Sequence, residues 1–318
     1  MTWHNSPLLS VPVHAAGPDG SWAEVAAGMT RGGNACVYTT WQEWPAEPGS
    51  ATALRILLGR DWARYRDTAD VTTRHRFVAS RLAIRYTAAA ALGCGPAELD
   101  LSYKPGGRPY LRGFDQIDLS LTHTDDLIAV GISRNGRIGV DTEPADRRLS
   151  FELLQDQVCT AAERAELAAL GERGQNAGML RLWTLKEAYT KALGLGLRMG
   201  FAEFGFATAT GGETGLLTPD GSPATHGEWA FGTYPVAGRY LLSVACHDAG
   251  LDTSRDSSVA TMLDEGFVGM VSALLDPALP DPALSDPALS DPALSDPALP
   301  DPALSDPALP GPALPGPA

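Results

Sequence analysis

Cysteine is scarce in this sequence of 318 residues, and long apolar runs are missing. Its four cysteines, Cys36, Cys94, Cys159 and Cys246, form no C-x-x-C pair, which argues against a zinc site or a disulfide framework and favours a reducing compartment. No apolar run reaches the about 18 residues that a membrane span needs. Residues 1–17 lack the basic start and apolar block of a secretory signal. We therefore expect a cytoplasmic protein.

Positive charge is also limited, because the net charge is −14. Seven of the aspartates lie from Asp276 onward, where no basic residue occurs, so the rest of the chain carries −7. An acidic body is not typical of a general nucleic-acid binder, whose affinity comes from neutralising phosphates. A site for an anionic ligand therefore requires a local cluster of basic residues. The 44% of hydrophobic residues suffices for a substantial core.

Lysine is the rarer of the two cationic residues. Only three of the 24 lysines and arginines are lysines, namely Lys104, Lys186 and Lys191. A lysine ammonium is compact and its pKa is easily shifted, so such lysines can serve a chemical purpose. Chance placement is the alternative, and the count alone does not decide between the two.

Composition divides the chain into four segments. Residues 1–33 are rich in glycine and proline, and we expect a poorly ordered leader. The ranges 34–135 and 136–250 form the N-terminal and C-terminal halves of a folded body. Residues 251–318 contain a linker and, from Asp276, a repeat of DPALS and DPALP. Proline at every fifth position opposes helix formation and the composition cannot form a core, so we expect a disordered tail.

Hydrophobic periodicity predicts an α+β body. Helical spacing occupies four ranges, of which the first ends before Gly93: 73–92, 151–158, 161–170 and 181–193. Strand patterns occupy 35–41, the segments DLSLTH and LIAVGIS with a turn at 124–126, 137–143, and a closing hairpin of 229–234 and 240–246. A helix with strands thus occurs once before residue 135 and once after it. We predict two similar halves, each with a two-layer α/β arrangement.

Two acidic residues alternate in one predicted strand, Asp141 and Glu143. Residues two apart point to the same face of a strand, so both carboxylates would project together. Neighbouring anions need a cation, and magnesium prefers oxygen ligands of this kind. The alternative is an exposed strand end beside Pro144.

A second charged pair lies in the segment W-T-L-K-E-A-Y-T-K of residues 183–191. Glu187 and Lys191 are four residues apart and therefore neighbours on a helix, which Gly194 and Gly196 end. An ordinary surface ion pair is the alternative. Glu163 stands three residues after Thr160, and this spacing predicts a capping box before it predicts a ligand.

Basic and polar residues before these motifs could meet an anion. Thr122 and His123 end an alternating strand, where a histidine can donate to phosphate or be structural. The segment 104–109, K-P-G-G-R-P, is a turn with two cations. Four arginines stand on the first long helix, and a solvated helix face is the alternative for them: Arg74, Arg76, Arg81 and Arg85.

Taken in order, these elements resemble the 4′-phosphopantetheinyl transferase superfamily, specifically its larger monomeric type that activates peptide and polyketide synthases. The order is a basic helix, a G-R-P turn, a strand ending in T-H, a strand ending in G-V-D-T-E, and a helix with W-T-L-K-E-A-Y-T-K. The resemblance covers residues 36–247, about two thirds of the chain. Its most specific parts are residues 139–143 and 183–191.

The resemblance implies a pseudo-twofold body with the active site between its halves, and it implies roles for single residues. Asp141, Glu143 and Glu187 would be the magnesium ligands. Glu187 would also accept or direct the proton of the carrier serine. Lys191 would bind phosphate and stabilise the leaving 3′,5′-ADP, so Asp141, Glu187 and Lys191 form the catalytic set. Together with Lys191, the residues that hold coenzyme A phosphates would be Arg76, Arg108, Thr122 and His123.

The sequence departs from the family pattern in three ways. Arg108 replaces a lysine in the turn, which keeps the charge and changes its geometry. Thr122 replaces a serine and retains the hydroxyl group. Two alanines precede Glu163 where a lysine is common, and the catalytic role of Glu163 itself is less defined. None of these departures removes a metal ligand.

The implied reaction transfers the phosphopantetheine arm of coenzyme A to a serine of an apo acyl or peptidyl carrier protein, with Mg²⁺ as cofactor. Coenzyme A and the carrier protein are the expected partners, and we expect a monomer without nucleic-acid or membrane partners. Two alternatives remain from the residues alone: a magnesium-dependent hydrolase of a nucleotide diphosphate, and a non-catalytic interaction protein. Release of 3′,5′-ADP only in the presence of apo-carrier would exclude the hydrolase.

Overall fold

The helical and alternating segments of the sequence form an α+β structure. A computed structural model of the chain describes residues 8–46, 49–207, 214–224 and 228–248. In these ranges the α-helices are α1 Trp22–Gly32, α2 Ala51–Leu58, α3 Trp62–Asp67, α4 Val71–Leu92, α5 Phe151–Val158, α6 Ala161–Ala168 and α7 Glu172–Leu193. The strands are β1 Val13–His14, β2 Asn34–Thr40, β3 Leu101–Tyr103, β4 Pro109–Leu111, β5 Asp118–Thr124, β6 Leu127–Ser133, β7 Gly136–Pro144, β8 Gly205–Phe206, β9 Leu216–Leu217, β10 Trp229–Val236 and β11 Tyr240–Asp248.

The first sheet has the strand order β1-β2-β6-β5. Both β2 and β5 pair antiparallel with β6, so that Val37 and Leu121 stand opposite Val130 from its two sides. A tight turn joins β5 to β6, and its Asp125 has φ +52°, a conformation that aspartate tolerates better than most residues. The turn that the sequence predicts at 124–126 is therefore confirmed.

The second sheet has the order β10-β11-β7, and all its pairs are antiparallel. In its register Asp141 stands opposite Ser243, and Glu143 stands opposite Leu241. The hairpin predicted for the end of the body is present and extends two residues further along each strand. Pro144 closes β7, as expected for a residue that lacks an amide donor.

Each sheet is covered on one face by a long helix, and the other faces share a core. Val37 and Val130 pack in the core that contains α4, whereas Cys36, on the opposite side of β2, packs in a cluster with Val140 and Val244. Because successive side chains of a strand alternate between faces, one strand serves two cores. Strands β2 and β6 are therefore apolar on both faces, because each face packs in a different core.

Side chains join the two sheets where β5 runs beside β7. The Asp118 carboxylate accepts the amide of Ile138 at 2.8 Å, and the Ser120 hydroxyl accepts the amide of Val140 at 3.1 Å. The Thr124 hydroxyl donates to the carbonyl of Thr142 at 2.7 Å. We call these contacts the polar seam. Asp118, Ser120 and Thr124 are separated by even numbers of residues, so their side chains point to the same face of β5 and form the whole seam.

Helix α7 approaches β7 closely enough to require a glycine. A Cβ atom added to Gly139 would lie 1.8 Å from the carbonyl oxygen of Ala188 and 2.6 Å from the amide nitrogen of Ala192. Both atoms belong to the backbone of α7, which cannot move aside as a flexible side chain can. The glycine of the G-V-D-T-E segment therefore sets the spacing between the strand and the helix.

The prediction of a poorly ordered leader is wrong for residues 8–33. Helix α1 buries Val25 and Met29, which are four residues apart, against the core of the first sheet. Gly33 ends the helix with φ +66°, and β1 pairs in parallel with β2. The glycines that indicate disorder by composition serve as turns and a helix cap here. Residues 1–7 and the predicted tail of 251–318 lie outside the described residues.

Two helical regions differ from the sequence prediction. Helix α7 begins at Glu172, nine residues before the predicted start at residue 181. The sequence pattern misses these first turns because Gly174 and Gly178 are poor helix formers. Gly178 lies against Leu167 of α6, so this glycine has a packing role. Helices α2 and α3 were not predicted and are only eight and six residues long. No helix in the described part of the chain is long and apolar enough to cross a membrane.

Candidate active site

Three elements bring an acid, a cation and a hydroxyl group together. Asp141 comes from β7, Lys191 from the last turn of α7, and Thr122 from β5. The Lys191 ammonium donates to Asp141 Oδ1 at 2.6 Å, and Thr122 Oγ1 lies 3.4 Å from the same oxygen. Lys191 Nζ and Thr122 Oγ1 are 3.5 Å apart. The sequence predicts these three residues as site residues, and the fold places them in contact.

The charges of this group are strongly coupled. Asp141 is buried, and burial raises its pKa even though Lys191 acts in the opposite direction. Burial alone would lower the pKa of Lys191, yet the acidic groups Asp141, Glu187 and Glu143 together raise it. Lys191 is therefore a firmly protonated, half-buried cation with carboxylates around it.

Glu143, two residues after Asp141, is held by a residue that the sequence does not single out. Arg147 forms an ion pair with Glu143, and its guanidinium carbon lies 5.6 Å from the centre of the Trp183 ring. Burial raises the pKa of Glu143, and the pairing with Arg147 offsets part of that effect. Glu143 and Arg147 are four residues apart, a spacing that indicates an ion pair only within a helix. Because Pro144 ends a strand between the two residues, the sequence does not predict their contact.

Glu187 lies one turn before Lys191 on α7. Burial, followed by repulsion from Asp141, raises the pKa of Glu187 to about 7. Lys191 opposes this shift, and the charge of Glu143 adds to it. A carboxylate with a pKa near neutrality can accept a proton in the physiological range, which is the property that general-base catalysis needs.

Asp141, Glu143 and Glu187 have the chemistry of a divalent-cation site. Asp141 Oδ2 is buried and has no hydrogen-bond partner within the described ranges, and the charge of Asp141 raises the pKa of both Glu143 and Glu187. Oxygen ligands of this kind suit Mg²⁺. In the part of the chain that is described, however, no three acidic or histidine groups are already assembled around a common point. Lys191 and Arg147 neutralise two of the carboxylates instead.

Cations cluster beside the end of β5. His123 is exposed at the surface, and partial desolvation together with the charges of Lys191, Arg81 and Arg76 lowers its pKa. The Arg76 guanidinium lies 5.2 Å above the ring of Trp41 and is exposed. Trp41 was not predicted as a site residue, because an aromatic residue at a strand end has no distinctive pattern. Arg76 and His123 thus lie on the same side of the molecule as Lys191.

The other arginines of α4 have structural partners. Arg81 donates to Asp61 at 3.1 Å, and Arg85 is buried and donates to the carbonyls of Pro96 and Leu99. Arg74 lies 5.6 Å from the ring centre of Tyr65. The alternative of a solvated face therefore does not describe this helix, whose basic residues pack against neighbouring elements.

Arg108, in the turn before β4, has its guanidinium engaged within the protein. It forms an ion pair with Asp118 of β5 and donates to the carbonyl of Ile138 at 2.7 Å. It also donates to the carbonyl of Lys191. A contact between Arg108 and a phosphate remains a prediction from the family resemblance.

Lys186 and Glu163 form a fully buried ion pair away from Asp141. Their charged atoms are 2.6 Å apart, and the side chains are 0% and 1% exposed. Three carbonyls also lie within hydrogen-bonding distance of the Lys186 ammonium, that of Val158 at the end of α5 and those of Phe201 and Phe204 after α7. Glu163 completes a capping box with Thr160, as predicted, and accepts the amide of Phe206. Lys186 is therefore a structural lysine that joins α6, α7 and the following loop.

Replacing Lys186 by methionine should destabilise the fold by about 3–5 kcal/mol, because it leaves the Glu163 carboxylate buried without its cation. Urea unfolding followed by circular dichroism measures this loss. The double variant with Glu163→Gln should recover part of the stability, since no unpaired charge then remains. An effect of Lys186→Met below about 1 kcal/mol would contradict the assignment.

The sequence model described as the 4′-phosphopantetheinyl transferase superfamily matches residues 137–245. This range contains β7, α7 and the G-V-D-T-E and W-T-L-K-E-A-Y-T-K segments. Several curated proteins with names of that class are similar to the chain. This part of the chain is therefore similar to the 4′-phosphopantetheinyl transferase superfamily.

Three relatives show how far the similarity extends. The L-aminoadipate-semialdehyde dehydrogenase-phosphopantetheinyl transferase of Eremothecium gossypii is 34% identical over 151 residues, 46% of this chain and 54% of the relative. The phosphopantetheinyl transferase of Thraustochytrium sp. is 26% identical over 221 residues, 64% of this chain and 76% of the relative. The 4′-phosphopantetheinyl transferase of Bacillus subtilis is 25% identical, over 54% of this chain and 73% of the relative. The chain spans about half the length of two of the curated relatives it matches, 54% and 52%.

Proposed function

We propose that this protein transfers the 4′-phosphopantetheine arm of coenzyme A to a serine of an apo acyl or peptidyl carrier protein. The serine oxygen forms a bond to the phosphorus that carries the pantetheine arm. The bond from that phosphorus to the bridging oxygen of the pyrophosphate breaks, and 3′,5′-ADP leaves. The serine proton passes to a base, so the products are the modified carrier and 3′,5′-ADP.

The observation that carries this proposal is the junction of β5, β7 and α7. There Lys191 Nζ, Asp141 Oδ1 and Thr122 Oγ1 lie within 3.5 Å of one another. A phosphoryl transfer needs cations to neutralise the phosphate oxygens and acids to manage the metal and the proton. The junction supplies both kinds of group from elements that the family match covers in part.

Lys191 and Glu187 have complementary roles in the proposed reaction. The protonated Lys191 binds phosphate and stabilises the negative charge that develops on 3′,5′-ADP as it leaves. Glu187, whose pKa is about 7, accepts the serine proton directly or directs it through a water molecule. Because the two residues are one helical turn apart, the same turn of α7 serves the nucleophile and the leaving group.

Asp141, Glu143 and Glu187 are the residues that would hold Mg²⁺. The buried and unpartnered Asp141 Oδ2 is the observation that favours this role. When bound, magnesium neutralises the charge of the pyrophosphate without any proton transfer. The ion pairs that Asp141 and Glu143 now make with Lys191 and Arg147 would rearrange as the carboxylates take up the metal.

The coenzyme A phosphates would meet the cation cluster at the end of β5. Arg76 and His123 are exposed there and available to the adenosine 3′-phosphate, and the hydroxyl group of the buried Thr122 lies beside them. The acidic body of the protein makes such a local cluster necessary for an anionic ligand. We further propose the larger monomeric type of the superfamily, acting in the cytoplasm on carrier domains of peptide or polyketide synthases.

The reaction is tested by incubating the protein with coenzyme A, magnesium and an apo-carrier protein, followed by mass spectrometry of the carrier. A gain of about 340 Da, the mass of the arm, is expected, and EDTA should prevent it. Release of 3′,5′-ADP without any carrier would favour a hydrolase instead. A folded protein that binds carriers and modifies none of them would indicate an interaction protein.

Replacing Glu187 by glutamine should lower the turnover number by at least about 100-fold, because the proton acceptor and one proposed metal ligand are lost together. The measurement is 3′,5′-ADP release at saturating coenzyme A. Glu172→Gln is the matched control, since Glu172 lies exposed in the first turn of the same helix. Turnover of Glu187→Gln within threefold of the control would refute this role.

A further inference from the structure

The guanidinium of Arg108 bridges three elements of the candidate site. Its Nε and Nη2 atoms donate to the two carboxylate oxygens of Asp118 on β5, the former at 3.3 Å. Nη2 also donates to the carbonyl of Ile138 on β7 at 2.7 Å, and Nη1 donates to the carbonyl of Lys191 on α7. The planar fork of an arginine suits such a set of partners, whereas a lysine offers only one donor atom.

The partners of Arg108 are themselves linked. Asp118 Oδ2, which accepts from Arg108, also accepts the amide of Ile138 at 2.8 Å. Arg108 and Asp118 are both largely buried, with side chains 18% and 22% exposed. The first residues of β7 are therefore held by an ion pair that is shielded from water, which strengthens it. Asp141 follows Ile138 by three residues on the same strand.

The carbonyl of Lys191 belongs to the end of a helix. Carbonyls in the last turn lack the amide partners of the helix interior and carry partial negative charge, so cations stabilise them. Gly194 donates its amide to the same carbonyl at 3.0 Å, and Arg137 Nη1 donates to the carbonyl of Leu193 at 3.1 Å. Two arginines from outside α7 thus hold its last turn.

We propose that Arg108 is a positioning residue, which fixes the end of α7 against β5 and β7 so that the Lys191 ammonium meets Asp141. The proposal rests on the transferase function proposed above. The backbone of Lys191 is held by Arg108, and its side chain then reaches Asp141 Oδ1 at 2.6 Å. Four of the five N–H groups of Arg108 donate within the protein, so its main partners are Asp118 and two carbonyls, and a phosphate could meet only one N–H without displacing a partner.

Steady-state kinetics distinguish this role from phosphate binding. Arg108→Met and Asp118→Asn are compared with two donors, coenzyme A and dephospho-coenzyme A, which lacks the 3′-phosphate. We expect kcat to fall by about 10- to 100-fold with both donors, while KM for coenzyme A changes by less than about threefold. Arg108→Lys should be intermediate. Arg112→Met is the control, because Arg112 is an exposed arginine of the same region that pairs only loosely with Asp100.

A phosphate-binding role would give the opposite pattern. In that case Arg108→Met would raise KM for coenzyme A at unchanged kcat, would leave dephospho-coenzyme A unaffected, and would not be matched by Asp118→Asn. That result would overturn the proposal. If Arg108→Met fails to fold, the comparison of Arg108→Lys and Asp118→Asn decides the question with the same two donors.

Hydrogen exchange tests the positioning role without any substrate, so it remains informative if the protein proves not to be a transferase. The amides of residues 192–195, at the end of α7, should exchange at least about tenfold faster in Arg108→Met and Asp118→Asn than in the parent protein. Arg112→Met should leave them unchanged. Equal exchange in all variants would overturn the positioning role, whatever the outcome of the transfer assay.

Discussion

Asp141→Asn is expected to lower transfer by about 1,000-fold or more while the fold is retained. Asparagine has nearly the same shape as aspartate, so it fits between Lys191 and Thr122 without a clash. It carries no charge, and therefore it can neither neutralise Lys191 nor contribute an anionic oxygen to magnesium. The loss should appear in kcat/KM measured by 3′,5′-ADP release with an apo-carrier.

The expected stability of this variant follows from the environment of Asp141. The carboxylate is buried, and burial raises its pKa, so the folded protein holds the ionised form at a cost. A neutral side chain removes that cost, whereas Lys191 keeps the negative charges of Glu187 and Glu143 near it. We therefore expect the melting temperature to change by no more than about 3 °C.

Asp125→Asn is the matched control for this substitution. Asp125 lies in the exposed turn between β5 and β6 with φ +52°, and asparagine tolerates that conformation. Its activity should equal that of the parent protein. An Asp141→Asn protein that retained a tenth of the parent activity would show that Asp141 is not part of the catalytic machinery.

Gly139→Ala is expected to destabilise the fold by at least about 3 kcal/mol. The added Cβ would lie 1.8 Å from the carbonyl oxygen of Ala188, and neither backbone can yield by a side-chain rotation. Strand β7 and helix α7 must therefore separate, and Asp141 and Lys191 lie on these two elements. The variant should consequently lose transfer activity in addition to stability. Thermal unfolding by differential scanning calorimetry measures the first effect.

Gly171→Ala controls for the chemical change in Gly139→Ala. Gly171 is the residue before α7, its φ is −68°, and an added Cβ would meet no atom within 4 Å. Its substitution should cost no more than about 1 kcal/mol, because alanine caps a helix less well than glycine. Equal melting temperatures for the two variants would mean that the close contact of β7 and α7 does not exist in solution.

Sequence patterns are sufficient to predict the positions of most helices and strands. Except for the short β1, the strands of both sheets and the end of α4 at Gly93 are where periodicity places them, because strand alternation and a glycine cap are local signals. Helix α1 was missed because glycine-rich composition is ambiguous: it accompanies disorder, and it equally accompanies caps and close packing. Helices α2 and α3 are too short to show a clear period.

The sequence predicts the residues of the candidate site, whereas their contacts are visible only in the fold. Asp141, Glu143, Glu187 and Lys191 were predicted because their spacing within one strand or one helix is visible in the sequence. That Lys191 meets Asp141 is a tertiary fact, since the residues are 50 positions apart. Lys186, which the scarcity of lysine marks as readily as Lys191, proves structural, because only the fold shows that Glu163 is buried beside it.

The polar seam has a consequence for the alignment of the two halves. Ile138 and Val140 have their amides satisfied by Asp118 and Ser120, which are spaced by two residues along β5. If β5 slipped by one position, Leu119 and Leu121 would face those amides and could accept nothing from them. Each buried amide left unpaired would cost about 1–3 kcal/mol. Thr122 and Asp141 thus stay opposite each other because the hydrogen-bonding capacity of one strand admits a single alignment.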